Sequence, residues 1–551
     1  MPRPPSAGRS VDADADARGD ATLDAASPRP ATPARAGLVL TALVLAAVVC
    51  NINVAAATVA LPSIGDAFGA SQTALNLVGI GNGLGLAMSV LYLGAVADRY
   101  GRKRLLLIGL SLTVVASVAS AAASSVEALV LARVFTGLAA GAAYPTTLSL
   151  ITALWADGPA RTRAIALWSS VSAMASVGGS VLAGIVLTDA GWRPSFLMAI
   201  PLALVAAVLV AWAVPSRVAE SEEPVDHIGG VLSVVGVGAL VLGIGIVFDP
   251  GEQVPGIVLV LVAVVAIGGF GWRQRRTRFP LFDLHIARRR LFWAPAVAGT
   301  IAFGALLGAI FVGEQFLQNV LGYDPLKAGA AVIPAAVGLL IAVPFAARLV
   351  GTRGTRWAML LGYAIILAAF LTMLGWREST PYALVGVGFL FVGAGAAFVM
   401  TASSRSLTGS TPVRRVGMAS AASDLQGDLG GSIMQALLGA ILAAGFAGAV
   451  SRHIADSGRA GEIGAEVTAA LQASFASAAH VAQAYPADAG QILAAARESL
   501  AAGAWAAYLV GAIVLVAGAL VVRFGIPDRG GEARLHERYR ADDERMPQPG
   551  A

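Results

Sequence analysis

A run of about twenty apolar residues is long enough, as a helix, to cross a hydrocarbon layer about 30 Å thick. This 551-residue chain repeats such runs along almost its whole length. They fall at about 37–60, 72–96, 105–124, 126–150, 163–188, 195–214, 228–248, 255–272, 292–317, 326–349, 356–376, 382–403, 416–449 and 500–523. Only 13% of the residues are charged, where a soluble domain carries about 25%. Backbone polar groups in lipid must be satisfied within the segment, which a helix does. The pattern predicts an all-α polytopic membrane protein with fourteen transmembrane helices.

The same composition narrows the chemistry. The single cysteine, Cys50, lies inside the first run, so no disulfide closes within the chain. The five histidines all fall in connecting or terminal segments, which argues against a metal centre or any other cofactor in the membrane. The two lysines, Lys103 and Lys327, precede Arg104 and Ala328 rather than the Ser or Thr of a nucleotide-binding loop, so ATP is not expected. A net charge of +5 over a membrane chain speaks to orientation, not to nucleic acid. Energy for any transport would then come from an ion gradient or from the cargo's own gradient. No helix supplies a nucleophile with its base, so the chain does not read as an enzyme, and its short tails offer no output domain for a sensor.

Charge sets the expected orientation. The segments that would face outward hold only Arg193, Lys327, Arg377, Arg452, Arg459 and Arg497, while nearly all other Lys and Arg residues fall in the alternate segments. Positive charge stays on the cytoplasmic side, so both termini are expected inside, in a plasma membrane. The Ala- and Arg-rich, Lys-poor usage points to a bacterial inner membrane. Residues 1–35 read as a disordered cytoplasmic tail without a signal peptide, and 526–551 as a second charged tail. The long external loop 450–499 is amphipathic rather than apolar and reads as a cap. An internal repeat completes the plan. "SVGGSVLAGIVL" (176–187) echoes "DLGGSIMQALLGAIL" (428–442), and "ADRYGRK" (97–103) echoes "VGTRGTR" (350–356), at offsets of 252 and 253. The expected units are an N-terminal six-helix bundle (36–215), two inserted helices (216–272) and a C-terminal six-helix bundle (273–525). Such parallel repeats rock around a midplane site in transporters.

Between the second and third apolar runs lies "GAVADRYGRKR" (94–104). A plain topogenic loop needs positive charge but neither glycines nor an acid. Here Gly94 would admit a close helix, Asp98 would pair with nearby guanidinium groups or a helix N-terminus, and Gly101 would permit the reversal. The stretch resembles the signature loop of the major facilitator superfamily, Gly-x-x-x-Asp-Arg-x-Gly-Arg-Lys, through Gly94, Asp98, Arg99, Gly101, Arg102 and Lys103. In that family the loop latches the two halves and releases during alternating access. The helix number, "TVALPSIGDAF" (58–68), "LARVFTGLAAG" (131–141), "WRPSFLMAIP" (192–201) and "FLQNVLGYDPLKAGAAVIP" (316–334) are similar to the fourteen-helix drug/proton antiporter branch. The branch's antiporter motif, Gly-x-x-x-Gly-Pro-x-x-Gly-Gly, is matched by Gly179 and Gly184 but lacks its proline, where Ser180 stands. Many members carry an Asp nine residues before the proline of the first motif; this chain has Asn53.

Charges inside a membrane cost roughly 2.5–3.5 kcal/mol each at the helix centre, so each needs a reason. The thirteenth run holds Asp424 and Asp428, one turn apart. Counted from Arg415, they sit about 13 and 20 Å into the layer. With Ser420, Gly431 and Gln435 they make a polar stripe that needs a cavity or a neighbouring helix rather than lipid. Two carboxylates this close in a low dielectric resist ionising together, so the pair can hold and release a proton for which a lipophilic cation competes. Arg133, in the fourth run, is read as a proton relay or counter-charge; Glu314, near the end of the ninth, as an acid at the outer mouth; Asn53 as a cavity-lining group. The resulting expectation is a monomeric secondary transporter that exports hydrophobic, cationic drugs or dyes in exchange for protons. The alternative is an exporter of an endogenous metabolite or neutral solute with weak or no proton coupling, favoured by Asn53 and by the missing proline.

Overall fold

The computed structural model describes residues 32–33, 35–156, 158–216, 218, 223–249, 251–411, 416–458 and 463–545; the side chains of 162, 173, 176, 177, 416–421, 424, 544 and 545 are outside the description. The described residues contain helices and no strand. The first group is α1 (Ala36–Phe68), α2 (Gln72–Tyr100), α3 (Arg102–Ala122), α4 (Val126–Leu154), α5 (Pro159–Ala190), α6 (Trp192–Leu197) and α7 (Ile200–Ala213). Two further helices follow, α8 (His227–Ile246) and α9 (Gln253–Arg276). The next group is α10 (Leu284–Ala287), α11 (Arg290–Asn319), α12 (Pro325–Ala331), α13 (Ile333–Arg353), α14 (Thr355–Met373), α15 (Tyr382–Gly409) and α16 (Val416–Asp456). The chain ends with α17 (Ala465–Ala473), α18 (Phe475–Ala484), α19 (Ala489–Gly525) and α20 (Arg529–Arg545).

Among the described residues, thirteen helical spans are long and apolar enough to cross a membrane, with α6–α7 and α12–α13 each forming one span. The helix expected at 163–188 is present as the 32-residue α5. The connections follow local chemistry. Ser71, Ser125 and Asp324 cap α2, α4 and α12 by accepting the N–H of Ala74, Ala128 and Lys327 at 3.2, 3.2 and 2.8 Å, which satisfies donors that a helix start leaves open. Gly101 and Gly354 take φ of 111° and 88° between α2 and α3 and between α13 and α14, values only glycine adopts without strain.

Packing repeats as the sequence does. The pairs α1·α5, α1·α4, α1·α7, α2·α4, α3·α4 and α3·α7 recur as α11·α16, α11·α15, α11·α19, α13·α15, α14·α15 and α14·α19. Single residues obey the same offset of 252. A Cβ at Gly179 would lie 3.1 Å from Ala55 Cβ, and one at Gly431 would press on Leu307, the residue 252 after Ala55. Small residues there let the helices of each pair approach closely, which is what holds helices together where lipid removes the hydrophobic drive. The two groups meet along α2·α16 and α5·α12, with α1 against α11.

Two parts were not legible beforehand. Helix α8 packs on both α2 and α16, so the inserted pair covers the seam between the groups there, while α9 rests mainly on α8. Within the second charged tail, α20 docks on the group α10–α15 through Glu532, Tyr539 and Asp543. For orientation, the end bearing Gly101 and Gly354 is called the inner end, the other the outer end.

Candidate functional site

On the polar side of α16, Ser432 and Gln435 face α2 of the first group, while Gly431 packs on Leu307 of α11. Ser432 Oγ donates to the Asp428 carbonyl at 2.8 Å. Across the seam, a Cβ at Gly83 of α2 would sit 3.0 Å from Ser432 Oγ and 4.0 Å from Gln435 Oε1. The partly buried Asp428 lies within electrostatic reach of Cys50 on α1. Phe303 of α11 packs where a Gly427 side chain would be. Asp428 therefore stands on the part of α16 that packs against α2 and α11 rather than in lipid. The side chain of Asp424 is outside the described residues; its backbone continues the same helix one turn earlier. Leu425 and Ile433 of α16 also meet protein: Leu425 joins the α1–α7 core and Ile433 the α2–α8 contact.

Arg133 and Asn53 come together elsewhere. Arg133 is fully buried, donates from Nη2 to the Asn53 carbonyl at 2.8 Å and stacks 5.4 Å from the Phe196 ring. Its Nε and Nη1 have no partner among the described residues. The Asn53 amide does not line a cavity: it donates to Val49 O at 3.1 Å, accepts from Ser117 at 3.4 Å and is 2% exposed. Glycines made this possible, since a Cβ at Gly81 would lie 2.9 Å from Arg133 Cβ. The arginine is thus a polar centre inside the first group, tied to α1.

Glu314 is at the outer end of α11 but not at an open mouth. It is 1% exposed, and its Oε2 has no partner among the described residues. Since Gly427 faces Phe303, Glu314 stands about 16 Å further along the helix than Asp428, at 1.5 Å per residue. The two acids do not share a site. Glu314 is covered because the outer seam is closed: Gln315 bonds Gln72, which donates to Asn76 at 3.0 Å; Asn76 donates to Gly439 O at 2.6 Å; Gln318 donates to Val59 O at 3.2 Å. Gln72 and Asn76, one turn apart in an apolar helix, were the readable signal for this seam in the sequence. A cavity of about 150 Å³ under α18 is lined by Asp66, Gln72, Gln315, Asn319 and Phe475.

The glycines at 179 and 184 sit where helices touch. Gly179 lies against α1, and a Cβ at Gly184 would meet Leu326 Cα of α12 at 2.7 Å, so this pair shapes both the α1·α5 packing and the outer α5·α12 seam. Gly94 differs from expectation: nothing lies within 4 Å of the place its Cβ would occupy, so no helix approaches it. The bonds of Asp98, Arg102 and Lys103 at the inner turn stay within the first group. Asp98 pairs with Arg102 at 2.8 Å, Arg102 reaches Ser149 O at 3.5 Å, and Lys103 donates to Ala211 O at 2.8 Å. Arg99 is exposed. No cluster of metal-ligating side chains occurs among the described residues.

Comparison with known proteins places this geometry. Residues 43–435 match the family model described as Major Facilitator Superfamily. The multidrug resistance protein Stp of Mycobacterium tuberculosis is 32% identical over 72% of this chain and 74% of its own. The multidrug efflux pump LfrA of Mycolicibacterium smegmatis is 31% identical over 89% of this chain and 96% of its own. The quinolone resistance protein NorB of Staphylococcus aureus is 28% identical over 70% and 83%. An inward-facing, unoccupied bacterial homologue of the human lysosomal transporter Spinster shares the fold, with a TM-score of 0.60 at 16% identity over 89% of this chain and 98% of its own.

Proposed function

Because the chain belongs to the major facilitator superfamily, we propose that it exports hydrophobic, cationic drugs or dyes in exchange for protons by alternating access. The observation that carries this reading is Asp428 on α16, partly buried and one turn before Ser432, which faces Gly83 of α2 across the seam between the two groups of helices. The efflux relatives support the cargo class. Asp428, with Asp424 one turn away, exchanges a proton for a cation because both neutralise the same carboxylates. The units 36–215 and 273–525 rock about the seam, as a single chain in a plasma membrane with both termini inside. Small residues at 179 and 184 let the outer contact form and part. The three outer cross-seam bonds suit a gate: buried bonds between membrane helices average about 0.6 kcal/mol, so together they hold roughly 2 kcal/mol, little enough to break in every cycle. Arg133 holds α1 in register with α4, and Glu314 is a second acid exposed only when the outer end opens.

A second reading, export of a neutral or endogenous solute with weak coupling, is favoured by one observation. Position 53 on α1 holds an amide already bonded within its own helices, so α1 offers no acid there. Proteoliposomes separate the two. With an imposed proton gradient, the first reading expects gradient-dependent movement of a fluorescent lipophilic cation. Transport indifferent to the gradient would replace it with the second.

A further inference from the structure

The inner turns of the two groups meet one need with carboxylates from different places. In the first, Asp98 at the end of α2 pairs with Arg102, the first residue of α3, at 2.8 Å. At the repeat offset of 253, Gly101 corresponds to Gly354, Arg102 to Thr355 and Asp98 to Gly351. The turn is kept, since both 101 and 354 are glycines with positive φ. The acid is not.

A carboxylate nevertheless stands at the equivalent place. Glu532 of α20 accepts from the Thr355 N–H at 3.2 Å and from Thr355 Oγ1 at 2.6 Å. It caps the first turn of α14, where open N–H groups and the helix dipole favour negative charge. The helix that delivers it is firmly seated. Arg529 donates to Thr352 O at 2.7 Å, the Arg290 N–H to Tyr539 Oη at 3.1 Å, and the buried Arg289 joins Asp543 to the Ser410 carbonyl. Glu532, His536, Tyr539 and Asp543 recur at spacings of 4, 3 and 4, one face of the helix.

The geometry points to Glu532 as the second half's counterpart of Asp98: a positioning carboxylate, supplied from beyond the repeat, that fixes the start of α14. The inner turn of the first half is self-contained; that of the second depends on α20. The local space agrees. A Cβ at Gly351 would meet only Arg405 Nη1, at 3.9 Å, so an acid can be restored at the repeat position beside a guanidinium group.

The transport arm of the test rests on the proposed export; the exchange arm does not. The full chain is compared as wild type, Glu532→Gln, Glu532→Asp and Gly351→Asp with Glu532→Gln. The readouts are amide hydrogen exchange at residues 355–358 and the rate of fluorescent cation transport in proteoliposomes. Expected for Glu532→Gln are faster exchange at those amides, unchanged exchange at 102–105, and a maximal rate lowered about fivefold with KM within about twofold. Glu532→Asp retains most of the rate. Adding Gly351→Asp restores at least about half of it. Wild-type exchange and rate in Glu532→Gln overturn the inference. A loss that the folded double variant leaves unrepaired also overturns it, because Glu532 would then serve only to dock α20. If the double variant does not fold, Thr355→Val decides: exchange at 356–358 unchanged from wild type overturns the inference, and faster exchange supports it. A wild type that moves no cation overturns the export reading and leaves the exchange arm to decide this one.

Discussion

Helices α5 and α16 hold equivalent places in the two halves, each packed along the first long helix of its own group, α1 or α11, yet they carry different chemistry. On α16 the inward residues are Asp428, Ser432 and Gln435; 252 residues earlier stand Ser176, Ser180 and Ala183. Gly178 and Gly179 recur as Gly430 and Gly431, while the ionisable group does not recur. Conversely, Arg133, fully buried between membrane-spanning helices, belongs to the first half. Packing residues are repeated because both halves pack alike; under the proposed exchange, the acid is needed once.

The largest effect that tests this asymmetry is chemical. Asp428→Asn is expected to remove gradient-driven cation transport, a fall of at least about a hundredfold if the carboxylate is the exchanging group. Ser180→Ala, on the equivalent helix, is expected to leave transport within about twofold. Equal effects at both positions would erase the distinction between α5 and α16.

The next contrast concerns packing. At Gly184 a side chain would run into the Leu326 backbone, so Gly184→Val is expected to cost about 1–3 kcal/mol by overpacking and to slow transport about tenfold. Gly94 faces open space, and Gly94→Ala is expected to leave the melting temperature unchanged. A lower melting temperature for Gly94→Ala would mean that the inner end closes over that position.

Arg133→Met tests whether the buried cation stabilises or functions. Two of its nitrogens lack partners among the described residues, and apolar groups of similar volume often replace buried charges without loss. Stability within about 1 kcal/mol of wild type is expected together with transport reduced about tenfold. A large drop in melting temperature would make Arg133 a structural hub instead. The smallest effect is at the gate. Gln318→Leu removes one cross-seam bond, worth about 0.6 kcal/mol, and should shift the outer-open population about threefold, readable as cysteine accessibility at the outer end. An unchanged population would mean that the amides do not hold the seam.

The sequence made the helices, their repeat and the α16 acids legible, because hydropathy and spacing are local properties of the chain. Gly179 and Gly431 could be paired before any contact was known. Relations that depend on how helices meet were less visible. Glu314 read as exposed because its depth could be counted, but the Gln72–Gln315 bond that covers it joins residues 243 apart. Asn53 read as cavity-lining because its burial against Ser117 and Arg133 is a property of three helices together. The docking face of α20 was written in its periodicity, yet its charge made it look like a solvated tail.

The most direct measurement is proton release when a lipophilic cation is added to the detergent-solubilised protein in weak buffer, followed with a pH indicator. Wild type should release protons on saturation with the cation, and Asp428→Asn should release far fewer while still folding. Equal release from both, or binding with no release from wild type, would contradict the exchange of proton for cargo on α16.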